Sequence, residues 1–153
     1  PEHPSSLRAR FNLAKLAQQL GQHAEAVTLL AEGLAMREAE VADDDPKLRG
    51  WLDALGTSEL ALERPEAAEH LERALKIRTA QGAEDPQLAR PRFALARALA
   101  TQDLARARAL AATAHGTLPP TPSGDQPRGM ADPAQVLRAE IEAWLSAHPA
   151  AEP

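Results

Sequence analysis

A catalytic or metal centre in this chain would have to be built from its histidines and carboxylates. The five His stand at positions 3, 23, 70, 115 and 148. A metal site needs several donors converging in space, and no His-Glu-x-x-His run occurs. His23 reads as a turn residue and His115 as a residue at the edge of a core. Asp43-Asp44-Asp45 is an acidic run, but calcium loops alternate their ligands around a central Gly. Helix capping and loop solvation are the expected roles of these three. Glu140 and Glu142 form a second acidic pair on an expected helix. Paired carboxylates can do acid–base work, yet side chains two residues apart on a helix do not face each other. No phosphate loop, dinucleotide fingerprint, nucleophile elbow or kinase signature is present. The expectation is a chain without catalysis, cofactor or metal.

The elements that would position any functional residue are helices. Aromatic residues make up 3% of the 153, with two Trp, two Phe and no Tyr. Much of the 44% hydrophobic content is therefore Ala and Leu, which lose little side-chain entropy in a helix. β-Branched residues are sparse, so strands have little to build from. A chain of this length suits one domain burying about 70% of its unfolded surface. Net charge is −5 and no long basic run occurs, which argues against nucleic acid or an acidic membrane as main partner. Cysteine is absent, excluding disulfides and thiolate metal sites and fitting a cytoplasmic location. No apolar run approaches the roughly 20 residues that span a bilayer, and no signal peptide is read. The opening Pro1-Glu2-His3-Pro4 reads as part of a longer protein.

An internal repeat organises the chain. His3-Pro4, Asp45-Pro46 and Asp85-Pro86 place their prolines 42 and 40 residues apart. Asp caps orphan N–H groups, and Pro suits the first helical position. A Leu-small pair follows each: Leu13-Ala14, Leu55-Gly56 and Leu95-Ala96. Ala26, Ala67 and Ala107 recur further on, then Gly33, Ala74 and Ala114. Small residues suit points where helices approach closely. Turn signals at Gly21, Arg64-Pro65 and Thr101-Gln102-Asp103 divide each unit into helix A and helix B.

The spacing predicts A helices near 4–19, 46–62 and 86–101, and B helices near 24–39, 65–80 and 103–116. Pro91 predicts a kink or a late start in the third A helix. The expected apolar stripes are Phe11, Leu13, Leu16, Ala17 and Leu20, then Ala26, Leu29, Leu30, Leu34 and Met36. In the second unit they are Leu52, Leu55, Leu62, Leu71, Leu75 and Ile77. Gly82 marks a stop. The third unit is weakened, with Ala111 where the first has Leu30 and His115 where it has Leu34. The units are expected at 3–44, 45–84 and 85–116. Residues 117–131, with four Pro and two Gly, read as a loop. Thr121-Pro122 within it reads as linker or as a ligand for a binding domain. Asp132-Pro133 then opens a last helix over 132–148, with Val136, Leu137, Ile141, Trp144 and Leu145 on one face, expected to cap the stack.

Asn12-Leu13-Ala14-Lys15-Leu16-Ala17, Leu20-Gly21-Gln22-His23-Ala24-Glu25-Ala26 and Gly33-Leu34-Ala35-Met36-Arg37 resemble the long tetratricopeptide (TPR) repeats of kinesin light chains. Glu72-Arg73-Ala74-Leu75-Lys76-Ile77-Arg78 fits the same pattern. The resemblance covers residues 3 to about 116 and implies an all-α, right-handed superhelix of three helix–turn–helix repeats. The bulky aromatic usual near the end of helix A is replaced by Ala17, Glu59 and Leu99. Arg92-Phe93-Ala94-Leu95-Ala96-Arg97-Ala98-Leu99, with Glu142-Ala143-Trp144-Leu145, resembles the C-terminal repeat regions attached to bacterial serine/threonine kinases, as in myxobacteria.

The resemblance implies a concave groove lined by the A helices, and a protein or peptide as partner. The residues placed there are Arg8, Phe11, Asn12, Lys15 and Gln19; Asp53 and Thr57; and Arg90, Phe93 and Arg97. Polar, basic and bearing two aromatics, the set suits an extended peptide carrying acidic groups. Asn12 matches the position whose amide contacts a peptide backbone in kinesin light chains, while Ala54 and Ala94 replace it in the other units. A core position remains the alternative for Phe11 and Phe93, and packing on helix B of the first unit is favoured for Trp51. The second functional reading is self-association, through apolar surface left uncovered on the first A helix. RNA binding rests only on Arg90, Arg92, Arg97, Arg106 and Arg108.

Overall fold

The computed structural model describes residues 4–82, 85–120 and 132–150. Seven α-helices carry the described residues, and no strand occurs among them. They are α1 (Pro4–Gln19), α2 (His23–Glu38), α3 (Arg49–Ala61), α4 (Ala67–Ala80), α5 (Asp85–Leu99), α6 (Leu104–Gly116) and α7 (Pro133–Ala147). A 3-10 turn, Pro46–Leu48, leads into α3. These bounds follow the sequence expectations to within a few residues. The late start expected from Pro91 does not occur: α5 begins at Asp85 and contains the proline. Thr121-Pro122 and most of the expected 117–131 loop lie outside the described residues, as does His3.

Aspartates start three of these elements. The Lys47 N–H donates to Asp45 at 2.8 Å, the Arg106 N–H to Asp103 at 3.0 Å, and the Ala134 N–H to Asp132 at 2.9 Å. Each bond satisfies a donor that the helix leaves orphaned. Helix α1 ends where Gly21 takes φ +75°, with Gln22 N–H on Ala17 O and Gly21 N–H on Gln18 O. Helix α3 ends in the same two-bond pattern, Arg64 to Glu59 and Glu63 to Leu60, but Glu63 sits at φ 55°. This is a Schellman motif in both cases. The second turn therefore centres on Glu63, one residue before the expected Arg64-Pro65.

Residues 1–82 form one compact unit and 83–153 another. In the first, Leu7, Ala14 and Ala17 of α1 meet Ala26, Leu30 and Leu34 of α2, and Leu48, Trp51, Leu52 and Leu55 from the 3-10 turn and α3. Trp51 is 6% exposed and lies where a Gly33 side chain would be: a Cβ there would fall 2.1 Å from its ring. Trp51 thus packs on helix B of the first hairpin, as the sequence favours. Gly56 likewise leaves room for Leu71 of α4.

The expected α1 stripe is corrected. Leu7, Ala14 and Ala17 are buried, while Leu13, Leu16 and Leu20 are 49%, 50% and 65% exposed. Periodicity reports an apolar face but not whether a neighbour covers it. Leu62 is likewise partly exposed.

In the second unit Ala89, Phe93 and Ala96 of α5 and Ala111 and Ala114 of α6 pack with Leu118, Leu137 and Ile141. The last two belong to α7, which packs on α6. Arg108 donates to the carbonyls of Leu145 and His148, and Arg138 to those of Leu118 and Pro119. Val136, expected on the packed face of α7, is exposed.

Candidate functional site

In the first unit the candidate face grows from α1. Arg8, Asn12, Lys15 and Gln19 are spaced 4, 3 and 4 residues apart, so they share one stripe of the helix, and all four are exposed. Among the described residues neither Arg8 nor Lys15 pairs with a carboxylate. Helix α3 lies alongside. The Gln18 amide joins the two, donating from Nε2 to the Ala54 carbonyl at 2.8 Å and to Ser58 Oγ at 2.7 Å. Ser58 is fully buried and itself donates to the Ala54 carbonyl at 3.1 Å.

Three of the expected groove residues take other roles. The Phe11 ring is half-buried and meets Trp51 edge-on, with centroids 4.9 Å apart. Its position turns it toward α3 and the core. Asp53 is half-buried and paired with Arg78 of α4 at 2.5 Å. Phe93, in the second unit, is 6% exposed and meets Trp144 edge-on at 6.1 Å. Phe93 is thus a core residue, while Phe11 packs against the core and stays partly exposed. Thr57 remains exposed, donating its hydroxyl to the Asp53 carbonyl at 2.6 Å. Arg90 and Arg97 of α5 are exposed, one stripe apart by seven residues.

Polar contacts that the sequence did not signal lie elsewhere. Glu59, 5% exposed, accepts from His70 Nδ1 at 2.7 Å. That hydrogen bond raises the His70 pKa above its ordinary 6.5, the charges of Glu59, Glu69 and Glu38 add to it, and burial opposes it. Glu59 was visible only as a departure from the aromatic expected there, and nothing in the sequence pointed from it to His70. Arg73 of α4 donates to the Asp43 carbonyl at 2.9 Å and to Glu38, tying down the segment between α2 and α3. The acidic run thus splits into a cap, Asp45, and a carbonyl held by Arg73. His115 is half-buried and bonded to Glu142 at 2.8 Å.

No group of three or more metal-ligating side chains is found among the described residues. A cavity of about 380 Å³ in the second unit is lined by Leu104, Ala105, Arg108 and Ala150. Its one charged group, Arg108, is spent on α7 carbonyls. No described helix is long and apolar enough to cross a membrane.

These helical hairpins have counterparts among solved proteins. The chain is similar to a crystal structure of nearly identical TPR-like repeats assigned to a kinesin light chain of Podosopora anserina. The TM-score is 0.71 and the identity 26%, over 96% of this chain and 69% of that one. The fold is that of TPR-like helical repeats. A second crystal structure of the same repeats, carrying one substitution, gives the same TM-score and identity over 96% and 68%. No protein-family model and no curated protein matches the chain. Repeats of this TPR-like kind generally mediate protein–protein interaction.

Proposed function

We propose that this chain is a non-enzymatic protein-interaction module, a scaffold or sensor, that holds an extended acidic peptide or protein segment on its A helices. The observation that carries this reading is the row Arg8, Asn12, Lys15 and Gln19, with Thr57 on the adjacent helix. Two cations, two amides and a hydroxyl stand exposed on α1 and α3. Cations with free donors recognise carboxylates, and side-chain amides serve a peptide backbone. Arg90 and Arg97 offer the same chemistry on α5. Phe11, Asp53 and Phe93 are not included, because packing and pairing occupy them. The kinesin-light-chain-like repeats support the same class of partner. The resemblance of the C-terminal stretch to repeat regions of bacterial serine/threonine kinases supports a place in a larger signalling protein. A cysteine-free chain of net charge −5 suits the cytoplasm, with nucleic acid and membrane as poor partners.

Fluorescence anisotropy with matched acidic and basic peptides tests this. The acidic peptide binds at about 50 mM salt and weakens as salt screens the pairing. Arg8→Glu with Lys15→Glu removes binding without loss of helicity, and Arg90→Glu with Arg97→Glu tests the second unit separately. Equal binding of both peptides, or acidic binding unmoved by all four changes, rejects the reading.

A further inference from the structure

Helix α1 carries a second stripe, Ala9, Leu13, Leu16 and Leu20, again spaced 4, 3 and 4, and all four residues are exposed. The three leucines are 49%, 50% and 65% exposed. Beside it, α2 turns outward Ala24, Thr28, Ala31 and Ala35, with the same spacing and also exposed. Both stripes point away from α3. On α1, Phe11 and Gln18 touch α3, and the leucine stripe lies roughly half a turn around the helix from them at about 100° per residue. On α2, Gly33 seats Trp51 of α3, and the small-residue stripe again lies roughly half a turn away. The two stripes therefore share one face of the α1–α2 hairpin.

That face has the composition of a covered surface. In the 42-residue register, the α3 counterparts of Ala9, Leu13 and Leu16 are Trp51, Leu55 and Ser58. They are 6%, 2% and 0% exposed, because α2 lies over that side of α3. In the 41-residue spacing that relates Ala26 to Ala67, the α4 counterparts of Thr28, Ala31 and Ala35 are Glu69, Glu72 and Lys76, which are exposed and charged, as a solvated helix face normally is. The hairpin face carries no formal charge at any of its eight positions.

We infer that this face binds a second copy of the same chain, in a two-fold contact that lays the leucine stripe of one α1 on the small-residue stripe of the other copy's α2. Charge and shape support this occupant. At a two-fold contact every residue near the axis approaches its own copy, so a charge there would meet like charge, and the face has none. A two-fold axis running along the helices sets Leu13, Leu16 and Leu20 over Ala24, Thr28, Ala31 and Ala35. Large side chains then fill the space left by small ones in both directions at once. The eight residues present on the order of 500 Å², typical of a functional patch. A symmetric pair then removes about 1,000 Å² in total, the lower bound for a specific interface. The pair closes on itself, and the polar row of the proposed peptide site lies on a different stripe of α1, so the two readings are tested independently.

Sedimentation velocity over about 1–500 µM, which covers micromolar to sub-millimolar dissociation constants, reads the outcome. The wild-type mass rises from 16.4 kDa toward twice that value as concentration increases. Leu16→Glu and Ala31→Glu each hold it at the monomer value throughout, with unchanged circular dichroism because both sites are exposed. Val136→Glu, at a 40% exposed position on α7, leaves the dimer intact. A wild-type monomer at every concentration overturns the inference. So does a dimer that survives either the Leu16 or the Ala31 change, because the contact needs both stripes.

Discussion

Glu59 stands where the repeat pattern usually carries a bulky aromatic, and the structure shows what replaces that bulk: a carboxylate buried against His70 of the next helix. The pair makes stability depend on pH in a definite direction. His70 holds its proton more tightly when folded than at its ordinary 6.5, first because it donates to Glu59 and then because of the surrounding carboxylates. A group whose folded pKa is raised contributes stability that is fully present below the unfolded value and is lost as pH rises through the folded one. Urea unfolding from acid to alkaline pH is therefore expected to show a decline beginning above about 6.5. Glu59→Gln keeps a hydrogen-bonding group but removes the charge, and flattens that decline. His70→Ala strands the carboxylate in the core and costs about 3 kcal/mol. A pH profile identical in wild type and Glu59→Gln would assign the dependence to other groups.

The helices were the most legible part of the molecule because their signals are local. Asp-Pro pairs, Gly21 and Gly82 act within a few residues of themselves, and the observed ends follow them. The second A-to-B turn was harder to place because its left-handed residue is not a glycine. Glu63 holds φ 55° in the Schellman position that Gly21 fills in the first hairpin, and a side chain there costs roughly 1–2 kcal/mol. Glu63→Gly removes that strain and gives back part of the gain through a more flexible unfolded chain. A net stabilisation of about 0.5–1 kcal/mol is expected, read as a higher urea midpoint with an unchanged slope. A lower midpoint would mean that Glu63 makes a compensating contact. What the helices did not disclose was which of their faces a neighbour covers. Leu13 and Leu16 carry the same apolar signal as the buried Leu52 and Leu55. Phe11 and Phe93 looked available to a ligand because sequence cannot show that each meets a tryptophan, 40 and 51 residues away.

At the scale of the molecule the two compact units differ in how they obtain core volume. The first draws Leu7, Leu30, Leu34, Leu48, Trp51, Leu52 and Leu55 from the α1–α2 hairpin, the 3-10 turn and α3. The second sets Ala89, Phe93 and Ala96 of α5 against Ala111 and Ala114 of α6, and α5 also buries Leu88, Leu95 and Leu99. The buried positions of α6 are alanines, which allow close approach but bury little apolar area. Leu137 and Ile141 of α7, with Leu118, add large side chains to that cluster. Helix α7 is thus a third layer of this core, started by the Asp132 cap and tied to α6 by Arg108 on the Leu145 carbonyl and Arg138 on the Leu118 carbonyl. Ile141, fully buried, becomes the test position. Ile141→Ala is expected to cost about 3 kcal/mol. In amide hydrogen exchange the loss should fall on α5, α6 and α7 and leave α1 to α4 close to their wild-type protection. Equal loss across all seven helices would show that the two units unfold as one. Loss confined to α7 would show that the α5–α6 hairpin holds without it.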